Sequence, residues 1–377
     1  MKVMFIRNRN VLNTKWLVHF VNALAQNPEF EVSVVCDTYK KVGTGLEFVP
    51  QVNFINLSGK TDNKLTSAYN RFRCKAVPPY FRYKKIIEQI KPDVLVCYFP
   101  VDLFNVTRFQ NHNIPVIQMI HGFPPEMLAK FKKGGKITKN YRMKSFAKVD
   151  TYQVLLDSFI NTIEECFSPK KVVSIANMVN QVAPEDYADL SIEKKKIIYI
   201  ARIEKDVKRP HLLIEAFGRI AKDFPDWKVD IWGLRKYPQY EAEMMDIAKK
   251  YDIENQVKIC GYSNNTLEVY QNADIHAFPT AHEGFGLAIA DGQATGLPTI
   301  GFSYAPAVNE LVKDGRNGFL AKDIDDFANK LAILMKDKNL RIEFGRNAIE
   351  DTKKYAPENI IAQWTDLLKK VGNKEIR

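Results

Sequence analysis

Short, nearly continuous apolar runs recur along the whole chain, and most are followed by a stretch with helical spacing. In the first half they cover residues 2–6, 31–36, 52–57, 93–99, 115–121, 151–158 and 172–177. In the second half they cover residues 197–201, 228–233, 257–261, 273–280 and 298–302. Such runs are typical of parallel strands that are buried on both faces. The alternation of strands and helices therefore predicts an α/β fold with parallel sheets covered by helices.

The alternation breaks once, at residues 181–195, which are polar and carry a proline. We interpret this segment as a linker between two doubly wound domains, residues 1–180 and 196–356. A length of 377 residues supports that division, since it exceeds what one ordinary core accommodates. After Pro357 the apolar residues fall on one face of a single amphipathic helix.

Positive charge is concentrated in the first half of the chain. Residues 1–180 hold 26 Lys and Arg against 13 Asp and Glu, whereas the remainder holds 29 against 31. This asymmetry indicates an anionic partner for the first domain, which a membrane surface, a diphosphate or a nucleic acid would satisfy. The basic segments 71–85 and 130–144 are interleaved with apolar residues, which fits attachment to anionic lipid, although a solvated charged face explains them equally well.

No apolar run is long enough for a membrane-spanning helix, and the start of the chain does not resemble a signal peptide. Five scattered cysteines fit buried thiols in a reducing compartment. The expected location is therefore the cytoplasm, with peripheral attachment to the inner face of the membrane as the sharper hypothesis for the basic half.

The segment 281–295 carries the clearest candidate chemistry. Gly284 and Gly286 follow a buried strand, and a short helix begins near Leu287. Glu283 lies in the bend before this helix, and Asp291 lies within it. Backbone N–H groups at a helix N-terminus attract phosphate. Two carboxylates beside a phosphate site can hold hydroxyl groups, so the segment suits a sugar attached to a nucleotide diphosphate.

Residues 199–320 contain several motifs in a fixed order, namely ARIEKDVKRPHLLIEAF at 201–217, VKICG at 257–261, YQNAD at 270–274, EGFG at 283–286, ATGLP at 294–298 and DGRNG at 314–318. In these motifs and their order, the segment resembles family 4 of the glycosyltransferases. This resemblance implies the GT-B architecture, in which two Rossmann-like domains face each other. It also implies a C-terminal helix, residues 357–377, that returns to pack on the first domain.

The resemblance assigns the main catalytic roles to four residues. Arg202 and Lys208 would clamp the diphosphate of the donor, and fixed cations can neutralise a leaving diphosphate without proton transfer. Glu283 would hold the donor sugar, although a helix-capping carboxylate is the plainer reading. His121, at the end of a first-domain strand, would contact the donor sugar or the acceptor hydroxyl, and a loop histidine without a role is equally compatible.

The remaining candidates are expected to bind substrate. The backbone N–H groups of Gly284, Phe285, Gly286 and Leu287 should face the phosphate. Asp291 would accept hydrogen bonds from the ribose hydroxyls, with a purely structural acid as the alternative. Three further residues complete the set, with Gly233 admitting the diphosphate, Tyr262 bordering the nucleotide base and Arg7 contacting the phosphate of the acceptor.

Two departures from the family pattern concern the site. The family has Glu where this chain has Asp291, and the shorter side chain loses roughly 1.5 Å of reach. Gly292 then replaces the usual alanine, which lowers helix stability but allows a close approach. In addition, the loop over residues 7–13 lacks the glycines that the family carries there, which leaves the acceptor side less well defined.

These observations predict a retaining glycosyltransferase that uses a nucleotide-diphosphate sugar, with a UDP-sugar favoured over a GDP-sugar. The expected acceptor is a lipid-linked glycan in surface polysaccharide synthesis. No cofactor and no metal ion are expected, because the sequence lacks His-x-x-x-His and Cys-x-x-Cys spacings. A nucleotide-sugar epimerase of the same architecture is the nearest alternative, and a basic nucleic-acid-binding protein, which would lack any recognition motif here, is the alternative from another class.

Overall fold

The computed structural model describes residues 1–7, 11–36, 46–57, 79–107, 113–133, 136–167 and 171–375. They form two compact units, one of Met1–Met178 with Pro357–Arg377 and one of Val179–Ala356. Each unit is built on a parallel β-sheet. The predicted α/β class with two Rossmann-like domains is therefore confirmed.

The first unit carries a seven-stranded parallel sheet in the order β3-β2-β1-β4-β5-β6-β7. Its strands are β1 (Lys2–Ile6), β2 (Glu31–Cys36), β3 (Asn53–Asn56), β4 (Val94–Cys97), β5 (Val116–Ile120), β6 (Thr151–Val154) and β7 (Lys171–Ser174). The helices between them are α1 (Lys15–Ala25), α2 (Pro79–Ile90), α3 (Pro100–Thr107), α4 (Pro124–Lys132), α5 (Lys136–Phe146) and α6 (Ile160–Phe167). Strands β4 and β5 are buried along their whole length, as continuous apolar runs predict.

A C-terminal helix, Pro357–Gly372, completes the core of the first unit. Trp364 is fully buried, and its ring centroid lies 5.1 Å from that of Phe20 on α1. Ile360 and Leu368 are buried in the same cluster. The prediction that this helix packs on the first domain is confirmed, and truncating Trp364 to alanine would cost about 3–5 kcal/mol of folding free energy.

The second unit carries a six-stranded parallel sheet in the order β10-β9-β8-β11-β12-β13. Its strands are β8 (Lys196–Ile200), β9 (Lys228–Trp232), β10 (Val257–Gly261), β11 (Ile275–Phe278), β12 (Thr299–Phe302) and β13 (Gly318–Ala321). Its helices are α7 (Pro210–Ile220), α8 (Pro238–Lys250), α9 (Thr266–Gln271), α10 (Leu287–Ala294), α11 (Val308–Leu311), α12 (Ile324–Lys336) and α13 (Lys338–Thr352).

The predicted linker at 181–195 belongs to the second unit instead of standing apart from it. Ala188 and Leu190 are buried in an apolar cluster with Tyr270 and Leu297. The backbone N–H of Ala188 also donates to the carbonyl oxygen of Thr295 at 2.8 Å. The polar composition of the segment concealed these two anchoring side chains.

The strand order of the second sheet reverses direction beside β8, because β9 lies on one side of it and β11 on the other. In open parallel sheets, ligands bind at such a reversal, outside the carboxyl ends of the strands. The reversal in the second sheet places residues 201–209 and 279–286 at one edge. Among the residues that the structure describes, no helix is both long and apolar enough to cross a membrane.

Candidate functional site

Two loops that follow β8 and β11 are joined directly to each other at the carboxyl edge of the second sheet. The backbone N–H of Ala281 donates to the carbonyl oxygen of Val207 at 2.7 Å. The Thr280 hydroxyl lies 3.0 Å from the same oxygen and can donate to it. Thr280 is fully buried, so this junction is a fixed part of the site.

Lys208 and Glu283 form an ion pair across this junction, from the ammonium nitrogen Nζ to the carboxylate oxygen Oε1. Their side chains are only 11% and 12% exposed. Lys208 Nζ also lies 5.5 Å from the ring centroid of Phe278, at the end of β11. The backbone N–H of Glu283 donates to the Pro306 carbonyl oxygen at 3.1 Å, which fixes the carboxylate from its own backbone. The structure thus brings together two residues that the sequence assigned to the same reaction.

The Glu283 carboxylate also influences Tyr199 on β8. Burial raises the pKa of the Tyr199 phenol, and the neighbouring Glu283 charge raises it further. The protonated hydroxyl donates to the Arg202 carbonyl oxygen at 2.8 Å. Tyr199 therefore supports the backbone that carries Arg202 without taking part in proton transfer.

Arg202 is placed differently from Lys208, because its side chain is 63% exposed. Its guanidinium lies 3.0 Å from the Glu204 carboxylate, and solvent around the exposed Arg202 limits the contribution of this pair to about 1 kcal/mol. An incoming anion can compete with such a weak partner. Arg202 is therefore available for a ligand at the mouth of the site.

A cavity of about 170 Å³ lies beside Arg202, at the ends of β8, β9 and β10. Its lining includes Gly233 and Tyr262, so the structure gathers three of the predicted site residues around one space. Tyr262 is 65% exposed, which leaves its ring open to a planar ligand. A Cβ on Gly233 would lie 1.9 Å from the Ala201 carbonyl oxygen. Glycine is therefore required here for packing against the chain itself, whether or not a diphosphate approaches.

The N-terminus of α10 faces the same edge of the sheet. Gly286 precedes it in the left-handed conformation, with φ of 94°, which glycine adopts without strain. In the described part of the chain, the backbone N–H groups of Gly284, Phe285 and Gly286 donate no hydrogen bond. Orphan N–H groups at a helix start attract phosphate, which is the ligand that the sequence analysis predicts for them.

The phosphate-binding role predicted for residues 284–287 concerns their backbone N–H groups and not their side chains. The ring of Phe285 is buried and lies edge-on against Tyr355, with the centroids 5.2 Å apart. Leu287 is half-buried at the first turn of α10. The prediction that Phe285 binds substrate therefore applies to its N–H alone, because its ring belongs to the core of the second unit.

Asp291 lies in the second turn of α10 and is half-buried. Its charge contributes, after burial, to raising the pKa of Tyr270, whose hydroxyl donates to the Ala288 carbonyl oxygen at 2.8 Å. A Cβ on the next residue, Gly292, would lie 3.1 Å from both the His276 ring and the Tyr270 ring. Glycine at this position therefore lets the helix pack closely on β11.

Replacing Asp291 with glutamate tests how this acid reaches its ligand. We expect the KM for the sugar donor to fall about threefold, the gain of one modest hydrogen bond, because the added methylene restores reach towards the ribose. Steady-state kinetics of Asp291→Glu and of the isosteric Asp291→Asn, whose KM should rise, provide the measurement. Loss of activity in Asp291→Glu would show instead that the pocket is built around aspartate.

In the first unit, Arg7 follows β1 and is buried. Its guanidinium carbon lies 4.4 Å from the ring centroid of Phe99 and 5.2 Å from that of Tyr98. These aromatic residues follow β4, the neighbour of β1 in the sheet. Residues 8–10, which follow Arg7, lie outside the described residues, as do residues 71–78 of the basic segment 71–85.

His121 follows β5 and is brought to the same aromatic cluster. Its ring lies 4.6 Å from Trp16 and 4.8 Å from Tyr98, measured between centroids. Its Nε2 atom is buried without a hydrogen-bond partner in the described chain. Burial lowers the pKa of His121 to about 3, although the Gln153 amide acts in the opposite direction. The imidazole is therefore neutral near pH 7 and can exchange hydrogen bonds with a hydroxyl, but it cannot neutralise a phosphate.

Several contributors to these sites were not predicted. Tyr98 connects Arg7 to His121, and its position directly after a buried strand was the available signal. Arg209 follows Lys208 and donates from Nε to the Pro279 carbonyl oxygen at 3.1 Å. No local pattern in the sequence indicates that contact, since the two residues are 70 positions apart.

Residues 185–351 match the model of the family described as glycosyl transferases group 1. The match spans nearly all of the second unit, including Arg202, the Lys208–Glu283 pair and Asp291. Over this range the second unit is similar to the glycosyl transferases group 1 family. The resemblance to glycosyltransferases stated from the sequence is confirmed.

Curated relatives extend the similarity into the first domain. An uncharacterized glycosyltransferase of Haemophilus influenzae is 24% identical over 336 residues, covering 84% of this chain and 90% of the relative. A Campylobacter jejuni α-1,4-N-acetyl-D-galactosaminyltransferase, named for an undecaprenol-linked glycan, is 22% identical and covers 95% and 94%. A Staphylococcus aureus poly(ribitol-phosphate) α-N-acetylglucosaminyltransferase is 25% identical over 75% of this chain, which spans only 57% of that relative's length.

Solved structures share the fold over almost the whole chain. The crystal structure of Staphylococcus aureus TarM superposes with a TM-score of 0.77 at 16% identity, covering 97% of this chain and 98% of TarM. Anabaena HepE in complex with UDP and glucose gives a TM-score of 0.73 at 17% identity, covering 98% and 99%. These neighbours confirm the predicted GT-B fold.

Proposed function

We propose that this protein is a retaining glycosyltransferase that moves a sugar from a nucleotide-diphosphate donor to a lipid-linked glycan acceptor in surface polysaccharide synthesis. The observation that carries the proposal is the arrangement at the carboxyl edge of the second sheet. There the buried Lys208–Glu283 pair and the exposed Arg202 lie on loops beside the orphan N–H groups that begin α10.

The donor diphosphate would displace Glu204 from Arg202 and would lie against Lys208 and the N-terminus of α10. Arg202 and Lys208 supply two positive charges, and Gly284 and Gly286 supply N–H donors, so the charge that develops on the leaving diphosphate is stabilised by fixed groups. No metal ion is required for this stabilisation, and we expect the activity to survive a chelator. As the diphosphate attracts Lys208, the Glu283 carboxylate becomes free to accept hydrogen bonds from the sugar.

The nucleoside would occupy the cavity beside Arg202, with the base against Tyr262 and the ribose hydroxyls on Asp291. We favour UDP over GDP, and the complex of HepE with UDP and glucose supports that choice. In the first domain, neutral His121 and buried Arg7 would serve the sugar or acceptor hydroxyl and the acceptor phosphate respectively.

Two rival functions receive no support from the proteins named above, which are glycosyltransferases by name. An epimerase would interconvert free donors without an acceptor, and a nucleic-acid-binding protein would leave the Lys208–Glu283 pair unexplained. Release of nucleoside diphosphate from one nucleotide sugar, followed by NMR of the anomeric configuration of the product, tests the proposal. A product with inverted anomeric configuration would refute retention. Suppression of nucleoside diphosphate release by RNA would favour the nucleic-acid-binding alternative.

Attachment to the inner face of the membrane is the further part of the proposal. Lys84 and Lys85 on α2, and Lys144 on α5, are exposed in the first unit. Each basic residue near an anionic membrane contributes about 1 kcal/mol. We expect the protein to float with anionic vesicles at low salt, to stay behind with neutral vesicles, and to be released as salt rises. Failure to float with anionic vesicles at low salt would exclude this attachment.

A further inference from the structure

Arg209, between Lys208 and α7, has a backbone conformation that few side chains adopt. Its φ is 49° and its ψ is 44°, in the left-handed region. Its side chain makes no hydrogen bond that caps α7. Such a conformation persists where the surrounding contacts hold it, and it is found preferentially at functional sites. The contacts of the Arg209 side chain therefore explain why arginine, and not glycine, occupies this position.

The guanidinium of Arg209 connects three loops. Its Nε donates to the Pro279 carbonyl oxygen at 3.1 Å, and its terminal NH2 donates to the Tyr304 hydroxyl at 3.0 Å. Its carbon lies 5.5 Å from the ring centroids of both Phe302 and Tyr304, which are themselves stacked 4.9 Å apart. The loops that follow β8, β11 and β12 are thus joined through one side chain.

We propose that Arg209 is a positioning residue that holds Lys208 and Glu283 in register. Lys208 precedes Arg209 directly, and Glu283 lies four residues beyond Pro279. Two guanidinium nitrogens of Arg209 already donate to protein acceptors. We therefore expect Arg209 to affect the reaction through the positions of Lys208 and Glu283. The proposal rests on the proposed role of that pair, and it extends the site to a residue whose planar fork lysine cannot reproduce.

The first test measures, without any substrate, how firmly Lys208 is held against Glu283. Glycine adopts the left-handed conformation freely, so Arg209→Gly removes the guanidinium without adding backbone strain. An amine-reactive reagent, followed by peptide mass spectrometry, reports how readily Lys208 escapes its buried pair. We expect Lys208 to be labelled about fivefold faster in Arg209→Gly, as weakening a positional constraint by about 1 kcal/mol would produce.

Lys195→Gly is the matched control, because Lys195 also has a left-handed backbone, with φ of 52°, and its side chain pairs with Asp226 away from the site. It should leave the labelling of Lys208 unchanged. If Arg209→Gly and Lys195→Gly label Lys208 at the rate of the unmodified protein, Arg209 does not hold the pair and the proposal is overturned.

The second test separates positioning from binding. In Arg209→Gly the kcat should fall about tenfold, since misplaced groups lose rate before they lose affinity, while the KM for the nucleotide sugar should stay within about threefold. Tyr304→Phe removes one hydrogen-bond acceptor of Arg209 and should lower kcat by a smaller factor. This variant provides the same test if Arg209→Gly folds poorly. Arg209→Lys should not restore kcat. An unchanged kcat in these variants would overturn the proposal. If the wild-type protein shows no turnover at all, the proposed function is refuted, and the labelling of Lys208 alone then decides the role of Arg209.

Discussion

Replacing Lys208 with alanine should lower kcat/KM for the sugar donor about 10²- to 10³-fold, the loss found when one fixed donor to a developing negative charge is removed. The variant also leaves the Glu283 carboxylate buried without its cation. Breaking a buried pair in this way costs about 3–5 kcal/mol, so the thermal midpoint should fall as well. Steady-state kinetics and calorimetry on the same preparation separate the two effects.

Lys205→Ala is the control for this experiment. Lys205 lies on the same loop, but its side chain is 58% exposed and pairs with Glu243 at the surface. Both turnover and thermal midpoint should match the wild type. Near-normal turnover in Lys208→Ala would contradict the assignment of Lys208 to the diphosphate, whatever its effect on stability.

Replacing Arg202 with alanine should reduce kcat/KM more than any tolerated substitution in the 284–287 segment. A charge-assisted hydrogen bond contributes about 1.5–3 kcal/mol, which corresponds to roughly 10- to 150-fold in rate. The interaction with a helix N-terminus contributes about 0.3–1 kcal/mol and rarely 2. Kinetics of Arg202→Ala beside Gly284→Ala, which keeps its N–H, make the comparison.

Glu204→Ala removes the present partner of Arg202 and should leave the rate nearly unchanged, because the Arg202 side chain in that pair is exposed to solvent. Its stability should also match the wild type. An Arg202→Ala enzyme with a normal rate, or one less impaired than Gly284→Ala, would show that the diphosphate is held elsewhere.

The fold was predictable because strands that are buried on both faces have continuous apolar sequences. Residues 94–97 and 116–120 are examples, and both are strands in the structure. The edge strand at 318–321 was not predicted, since only two of its four residues are buried and it begins with glycine. The return of Trp364 to the first unit followed from the resemblance, and local periodicity showed only that its helix is amphipathic.

The candidate site was predictable as a set of residues but not as a set of contacts. Arg202, Gly233 and Tyr262 line one cavity, although they come from three separate strand ends. Lys208 and Glu283 are 75 positions apart, and their pairing depends on the adjacency of β8 and β11. Sequence spacing carries no information on such long-range contacts.

The packing of two residues in the family motif also required the structure. The Phe285 ring lies in the core against Tyr355, so only the backbone N–H of this residue keeps its predicted role towards a phosphate. Gly292 proves to be a packing residue, since the rings of His276 and Tyr270 leave little room for a Cβ. Neither outcome follows from helical spacing alone, because both depend on what lies beneath α10.

The most direct test of the central claim is to incubate the protein with a panel of UDP- and GDP-sugars without acceptor and to measure the release of nucleoside diphosphate. The account predicts slow release from one UDP-sugar, with the same sugar nucleotide raising the thermal midpoint, and loss of both effects in a variant that combines Arg202→Ala with Lys208→Ala. Release that persists in that variant, or no release and no thermal shift with any donor of the panel, would contradict the account.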